Sequence, residues 1–560
     1  SQTAHSRVNN RFGLPHTLGG RRRQEAHGEN PTDSTRGYLL PDFVRCTRDH
    51  HELDETIGLS MPLQPGLGHT CGPAWRCVEL NHVFSQTEHF IAGESERAIR
   101  RPRMYRLVHF AENERPHHAW RSRSSGRRDH GGRQPSLERT ARYVLSYTSM
   151  MAAHPTSTED LILVTEELWK DGPPHETFAR LRAECPVHWS TGVPEYPTEA
   201  GYWSVTKAED VHTVSRDWQT YSSANGITVV SDAVLPVELI SAMFIGMDPP
   251  KHDRLKALFQ RGFTPKRIAE HEDEIRTITR GVLERLDGRE TCDLVADVAQ
   301  PVVSRVIGSF MGIPPEHDEP WAVLMNSLIG AGDPDLNPAG PEAIMQELIP
   351  RIFERCQELI ADRREHPTDD LTSVLVHAEV DGEKLEEHEI VMGFFLLMAA
   401  GNDSTKATYT SAMRALIEQP DQRQILLDDP SLIPSAVEES LRMFPAFAHF
   451  RRTATRDTEL GGCPIRKGDK VILWYPSSNR DEDVYEDPDR FDVTRNPEHQ
   501  AFGAGGRHFC LGTALARLEL RILLEETLAR YPEMTLDGEP VHAISPFANQ
   551  LKTLPVRLGA

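Results

Sequence analysis

Residues 501–520 read AFGAGGRHFCLGTALARLEL, and the rest of the chain is organised around them. A glycine-rich loop (Gly503, Gly505, Gly506) leads into Cys510. Beyond it, Leu511, Leu515, Leu518 and Ile522 fall at helical spacing, with Arg517 and Arg521 on another face. Glycines in such a loop permit a positive φ or a close approach by something bulky. A thiol at a helix N-terminus meets unpaired N–H groups and the positive end of the dipole, which favour the thiolate. From the residues alone this is a thiolate presented to a large electrophilic partner, with a metal as the leading candidate. The alternative is a buried free cysteine beside a turn.

The string F-G-x-G-G-x-H-x-C-x-G, with Phe502, Gly503, Gly506, His508, Cys510 and Gly512, closely resembles the haem-binding signature of the cytochromes P450. Phe502 to Cys510 is one residue longer than in the commonest form of that signature, as in some bacterial members. Three further segments carry the resemblance. MDPPKHDRLKALF, helical from about His252, resembles the helix that approaches the haem propionates, with His252 and Lys256 one turn apart on one face. AGNDST, residues 400–405, lies inside a long helical pattern, where Gly401 should cost about 1 kcal/mol against alanine. It resembles the family's oxygen-activating segment. Gly401 then opens space beside the iron, and Asp403 and Ser404 form the acid–alcohol pair, with Thr405 as an alternative hydroxyl. Glu439 and Arg442 match the family's E-x-x-R pair, with Arg490 or Arg495 as a third partner.

The resemblance covers about residues 158–558 and implies a mainly α fold with small β-sheets. A long central helix then lies over the haem and the cysteine loop beneath it. It implies haem b (iron protoporphyrin IX) with Cys510 as the metal ligand. His252, Lys256, Gly401, Arg452, Gly503, His508 and Gly512 are the expected haem-binding residues. The implied reaction inserts one oxygen atom from O₂ into a C–H bond of a hydrophobic small molecule, namely a steroid, terpenoid or fatty chain. A non-turnover haem-thiolate ligand sensor and a peroxide-driven hydroxylase are the alternatives. No nucleotide-binding glycine fingerprint and no C-x₄-C-x₂-C run occurs, so electrons must come from a separate ferredoxin and ferredoxin reductase. Arg507, Arg517 and Arg521 are candidates for a basic docking patch, and a solvated helix face is the competing reading. Candidate pocket residues are Ile227, Val229, Met243, Phe244, Leu328, Phe447 and Phe547.

Composition divides the 560 residues unevenly. Residues 1–150 hold 22 arginines, no lysine and 16 acidic residues, a formal charge of +6, leaving 40 basic against 68 acidic residues to the remainder, or −28. Without sustained hydrophobic periodicity, 1–150 is expected to be a disordered, non-catalytic extension, and 151–560 the catalytic domain. Met150 and Met151 stand just before the pattern changes, as an upstream choice of start codon would leave them. The acidic body argues against nucleic acid as a partner. Eight dispersed cysteines suit a reducing cytoplasm. No unbroken apolar run approaches the roughly 20 residues of a membrane span, and VMGFFLLMAAG reads as a core helix.

Overall fold

The computed structural model describes residues 161–193, 200–228, 237–340, 343–380 and 383–559. The expectation for 1–150 and the candidate Val229 lie outside the described residues. Eight helices carry the architecture that positions the site: α1 (His175–Glu184), α2 (Lys251–Gln260), α3 (Glu272–Glu284), α4 (Gln300–Met311), α5 (Asp318–Ile329), α6 (Glu387–Glu418), α7 (Ile433–Met443) and α8 (Thr513–Arg530).

The 32 residues of α6 span about 48 Å at 1.5 Å per residue. Glu386 and Glu389 start the helix with a reciprocal capping box, which satisfies backbone donors that would otherwise be orphaned. From Ile390 to Met413 the helix is buried nearly all round, because α4, α5 and α8 pack against it. Its apolar first half, read as a core helix, is one: Phe394 and Phe395 are almost fully buried. The stretch Leu294–Met311 is also long and apolar enough to cross a membrane (mean hydropathy 1.2), and 67% of it is buried inside the fold. A search for unbroken apolar runs passes over it because Asp297, Gln300, Ser304 and Arg305 interrupt the pattern.

One five-stranded sheet flanks the helices. Its strands are β1 (Val187–Ser190), β2 (Tyr202–Val205), β3 (Tyr221–Ser222), β4 (His449–Ala454) and β5 (Lys470–Trp474), in the order β1-β2-β5-β4-β3. Only the β2–β5 pair is parallel. In the β5–β4 register Val471 faces Arg452 and Ile472 faces Arg451, so the two arginines point to opposite sides of the sheet. The short strands Glu379–Val380 and Glu383–Lys384 pair antiparallel.

Candidate active site

The cysteine loop is built by three glycines at positive φ: Gly503 (+89°), Gly505 (+84°) and Gly506 (+79°). At Gly506 a Cβ would also meet the Ser215 carbonyl oxygen at 2.6 Å, so glycine is required twice over. The loop turns Cys510 back so that its N–H donates to the Phe502 carbonyl at 2.9 Å, and α8 starts three residues later with Gly512 as N-cap. The Cys510 side chain borders open space. Enough protein surrounds it that burial raises the thiol above its ordinary value, against the pull of the Gly512 N–H, Lys256 and Arg517. The helix terminus alone therefore does not secure a thiolate. A bound metal cation would.

Two side chains near the loop have no anionic partner among the described residues. Arg452 is 5% exposed, and burial lowers its pKa. Its Nη1 donates to the Arg451 carbonyl at 2.9 Å, and no carboxylate among the described residues pairs with it. His508 Nε2 is buried without a partner. Burial, then Arg452 and His252, hold that ring well below the usual histidine range. A buried arginine without a carboxylate beside it and an imidazole whose Nε2 is free suit anionic carboxylates such as the haem propionates. His252 is buried, its ring centroid 4.4 Å from that of His508 and its Nδ1 2.9 Å from Asp253 Oδ1. Lys256 departs from expectation. Its ammonium donates to the Arg507 and Phe509 carbonyls, the latter at 2.6 Å, so two of its three donors hold the loop backbone.

The middle of α6 has a single opening. Between Ile390 and Met413 only Ala399, Ala400, Gly401 and Ser404 are less than fully buried, and Ala400 is the most open. Ala400 and Ser404 stand one turn apart on this face, and Ser404 Oγ donates to the Ala400 carbonyl at 2.9 Å. Gly401 has a packing reason for its missing side chain as well. A Cβ there would meet Ile307 Cδ1 at 2.8 Å, so its missing side chain serves the packing of α4 while Ala400 borders the opening. Thr405 turns the other way and donates to Glu519 Oε2 at 2.7 Å, inside the α6–α8 contact. It therefore does not share the Ser404 face.

Asp403 is buried behind the opening. Its Oδ1 pairs with Lys406 Nζ at 2.5 Å, while its Oδ2 has no partner. Lys406 also donates to Gln300 Oε1 (2.9 Å) and Asn326 Oδ1 (2.8 Å), tying α6 to α4 and α5. Lys406 and Glu519 were not anticipated from the sequence. Both interrupt apolar helix faces, and that was the available signal. Burial pushes Glu519 up to about 8, with the Thr405 hydroxyl opposing.

Glu439 and Arg442 form a fully buried bidentate pair at 2.7 and 2.9 Å. Arg442 also donates to the carbonyls of Asn479, Pro488 and Arg490, locking α7 to the segment that leads into the cysteine loop. Of the two candidates, Arg495 is the third partner, at 3.2 Å from Glu439, whereas the Arg490 side chain lies 3.7 Å from Asp492. The candidate docking arginines carry internal partners. Arg507 pairs with Asp253 (2.9 Å) and Arg521 with Glu272 (2.8 Å). Arg517 grips Glu438 at 2.6 and 2.9 Å. Burial would raise Glu438, but Arg517 and His499 hold it at about 2.

Among the pocket candidates, Phe447 and Phe547 stack with ring centroids 5.0 Å apart and both contact Phe450. Met243 and Phe244 are buried in the main core, and Ile227 and Leu328 pack against it half-buried.

The family model for cytochrome P450 matches residues 341–554. The chain is 39% identical over 386 residues to methyl-branched lipid omega-hydroxylase of Mycobacterium tuberculosis, covering 68% of this chain and 90% of that one. It is 34% identical over 413 residues to linalool 8-monooxygenase of Pseudomonas putida, covering 71% and 98%. A cytochrome P450 of Mycobacterium marinum, solved in complex with pseudoionone, superposes with a TM-score of 0.67 at 36% identity, covering 72% of this chain and all of that one. These identities, together with a cysteine loop, a buried arginine with no carboxylate partner among the described residues and an opened central helix, show that the chain belongs to the cytochrome P450 family and is a haem-dependent monooxygenase.

Proposed function

We propose that this monooxygenase hydroxylates an unactivated carbon of a steroid, terpenoid or branched fatty chain. The observation that carries this reading is the opening at Ala400 and Ser404, in a helix buried on every other side. A site reached only there is kept dry, and a strong C–H bond is where such chemistry is needed. Aliphatic and aromatic side chains such as the sequence candidates would reward apolar area and discriminate weakly between similar shapes. Relatives named for a methyl-branched lipid and for linalool agree with that class.

Each residue then has a task. Cys510 supplies the sulfur ligand, and Arg452 and His508 hold the propionates. When bound, haem supplies the activation of O₂ that transfers one oxygen atom to substrate and releases the other as water. Ser404 stands at the opening and orders water there. Asp403, with Oδ2 free behind it, feeds protons to that water. Lys406 holds the other carboxylate oxygen.

Electrons come from a separate ferredoxin and its reductase, and the protein works in the cytoplasm. Residues 1–150 take no part: a chain beginning at Met151 binds haem like the full chain, and a loss of haem on truncation would refute this. A panel of sterols, terpenes, branched fatty acids and small aromatics, scored by displacement of the iron-bound water, tests the substrate class. Tight binding confined to small polar aromatics contradicts it.

A further inference from the structure

One face of α2 grips the three residues that precede Cys510. His252 sets its ring 4.4 Å from the His508 ring. Asp253 Oδ2 pairs with Arg507 Nη1 at 2.9 Å. Lys256 Nζ donates to the carbonyls of Arg507 and Phe509, on either side of His508. Positions i and i+4 lie one above the other on a helix with i+1 about 100° round, and all three here reach the same loop, so these contacts act as a unit. The peptide unit joining Phe509 to Cys510 is pinned at both ends: Lys256 holds its carbonyl, and the Phe502 carbonyl accepts its N–H at 2.9 Å. A peptide unit is planar, so fixing both ends fixes its plane and the position of the Cys510 Cα from which the side chain leaves.

We propose that Lys256 is a positioning residue for the sulfur ligand, holding the Phe509–Cys510 peptide unit in place and setting a positive charge behind the thiolate. This rests on Cys510 being that ligand. The sequence suggests a propionate contact for Lys256; in the fold two of the three ammonium donors go to carbonyls of the loop. Outer partners of this kind orient a metal ligand and tune its electron density. A cation behind the sulfur stabilises the thiolate and favours the added electron, so its loss moves the reduction potential to more negative values.

The test uses the haem-loaded full chain with Lys256→Met and Lys256→Arg, and reads three quantities. These are the lifetime of the thiolate-type band of the reduced, CO-bound protein, the reduction potential without substrate, and the rate of haem release to an acceptor apoprotein. In Lys256→Met the band decays about tenfold faster, the size of one charge-assisted bond. Its potential falls, while Lys256→Arg keeps the wild-type potential. An unchanged band lifetime and potential in Lys256→Met overturns the proposal, as does faster haem release at an unchanged potential, which marks a propionate contact. Asp253→Asn cuts the Arg507 tether on the same helix face and serves where Lys256→Met does not accumulate. It too must shorten the band lifetime, and an unchanged lifetime overturns the clamp. Absence of the thiolate band from the wild type would instead remove the assignment of Cys510.

Discussion

Thr405 donates its hydroxyl to Glu519 at 2.7 Å, joining α6 to α8 through a carboxyl buried in the core. Burial raises that carboxyl to about 8. The folded protein therefore binds more protons than the unfolded chain between roughly pH 4.5 and 8. Glu519 then contributes stability that is present below the unfolded value and lost as pH rises through the folded one, at up to about 1.4 kcal/mol per pH unit. Glu519→Gln should flatten thermal stability between pH 5 and 8 and gain on the wild type above pH 8. Parallel Tm profiles for the two proteins would show that the carboxyl is ionised in the fold.

The two neighbouring hydroxyls should separate cleanly. Ser404→Ala, at the opening, should uncouple turnover and waste electrons as peroxide with little change in stability. Thr405→Val should keep coupling but lose about 1–3 kcal/mol, because Glu519 loses its partner. Peroxide release and denaturant midpoints measured on both variants decide it. Uncoupling in Thr405→Val alone would reverse the assignment.

Lys406→Met leaves Asp403 buried beside an apolar chain. Breaking one side of a buried pair typically costs about 3–5 kcal/mol, and removing both charges recovers much of it. Asp403→Asn/Lys406→Met should thus be more stable than Lys406→Met alone, while turning over slowly because the acid is gone. Additive losses of stability would mean that the pair is not coupled.

Gly401→Ala puts a methyl 2.8 Å from Ile307 Cδ1. Overpacking of this kind costs about 1–3 kcal/mol, and Ile307→Val should relieve part of it. Haem content should stay near wild type in both. A loss of haem that Ile307→Val does not repair would return Gly401 to the haem face.

What the sequence made legible was chemistry carried by local spacing. The cysteine loop, the Glu439–Arg442 pair and the long helix were all readable, because backbone geometry and helical period dictate them. Side-chain direction was not. Gly401, Ser404 and Thr405 look interchangeable along the chain, yet 100° of helical rotation per residue sends them to Ile307, the opening and Glu519. Lys256 has a reach long enough for either a propionate or a carbonyl, and only the fold of residues 501–512 decides. The partners of Arg507, Arg517 and Arg521 are tertiary neighbours, which spacing along the chain does not reveal.

The central claim is that Cys510 is the sulfur ligand of the haem iron. The reduced, CO-bound spectrum of Cys510→Ala beside the wild type tests it most directly. The wild type should show the thiolate-type band, and the variant should lose both the band and hydroxylation. A Cys510→Ala protein that kept the thiolate band would contradict the account at its root.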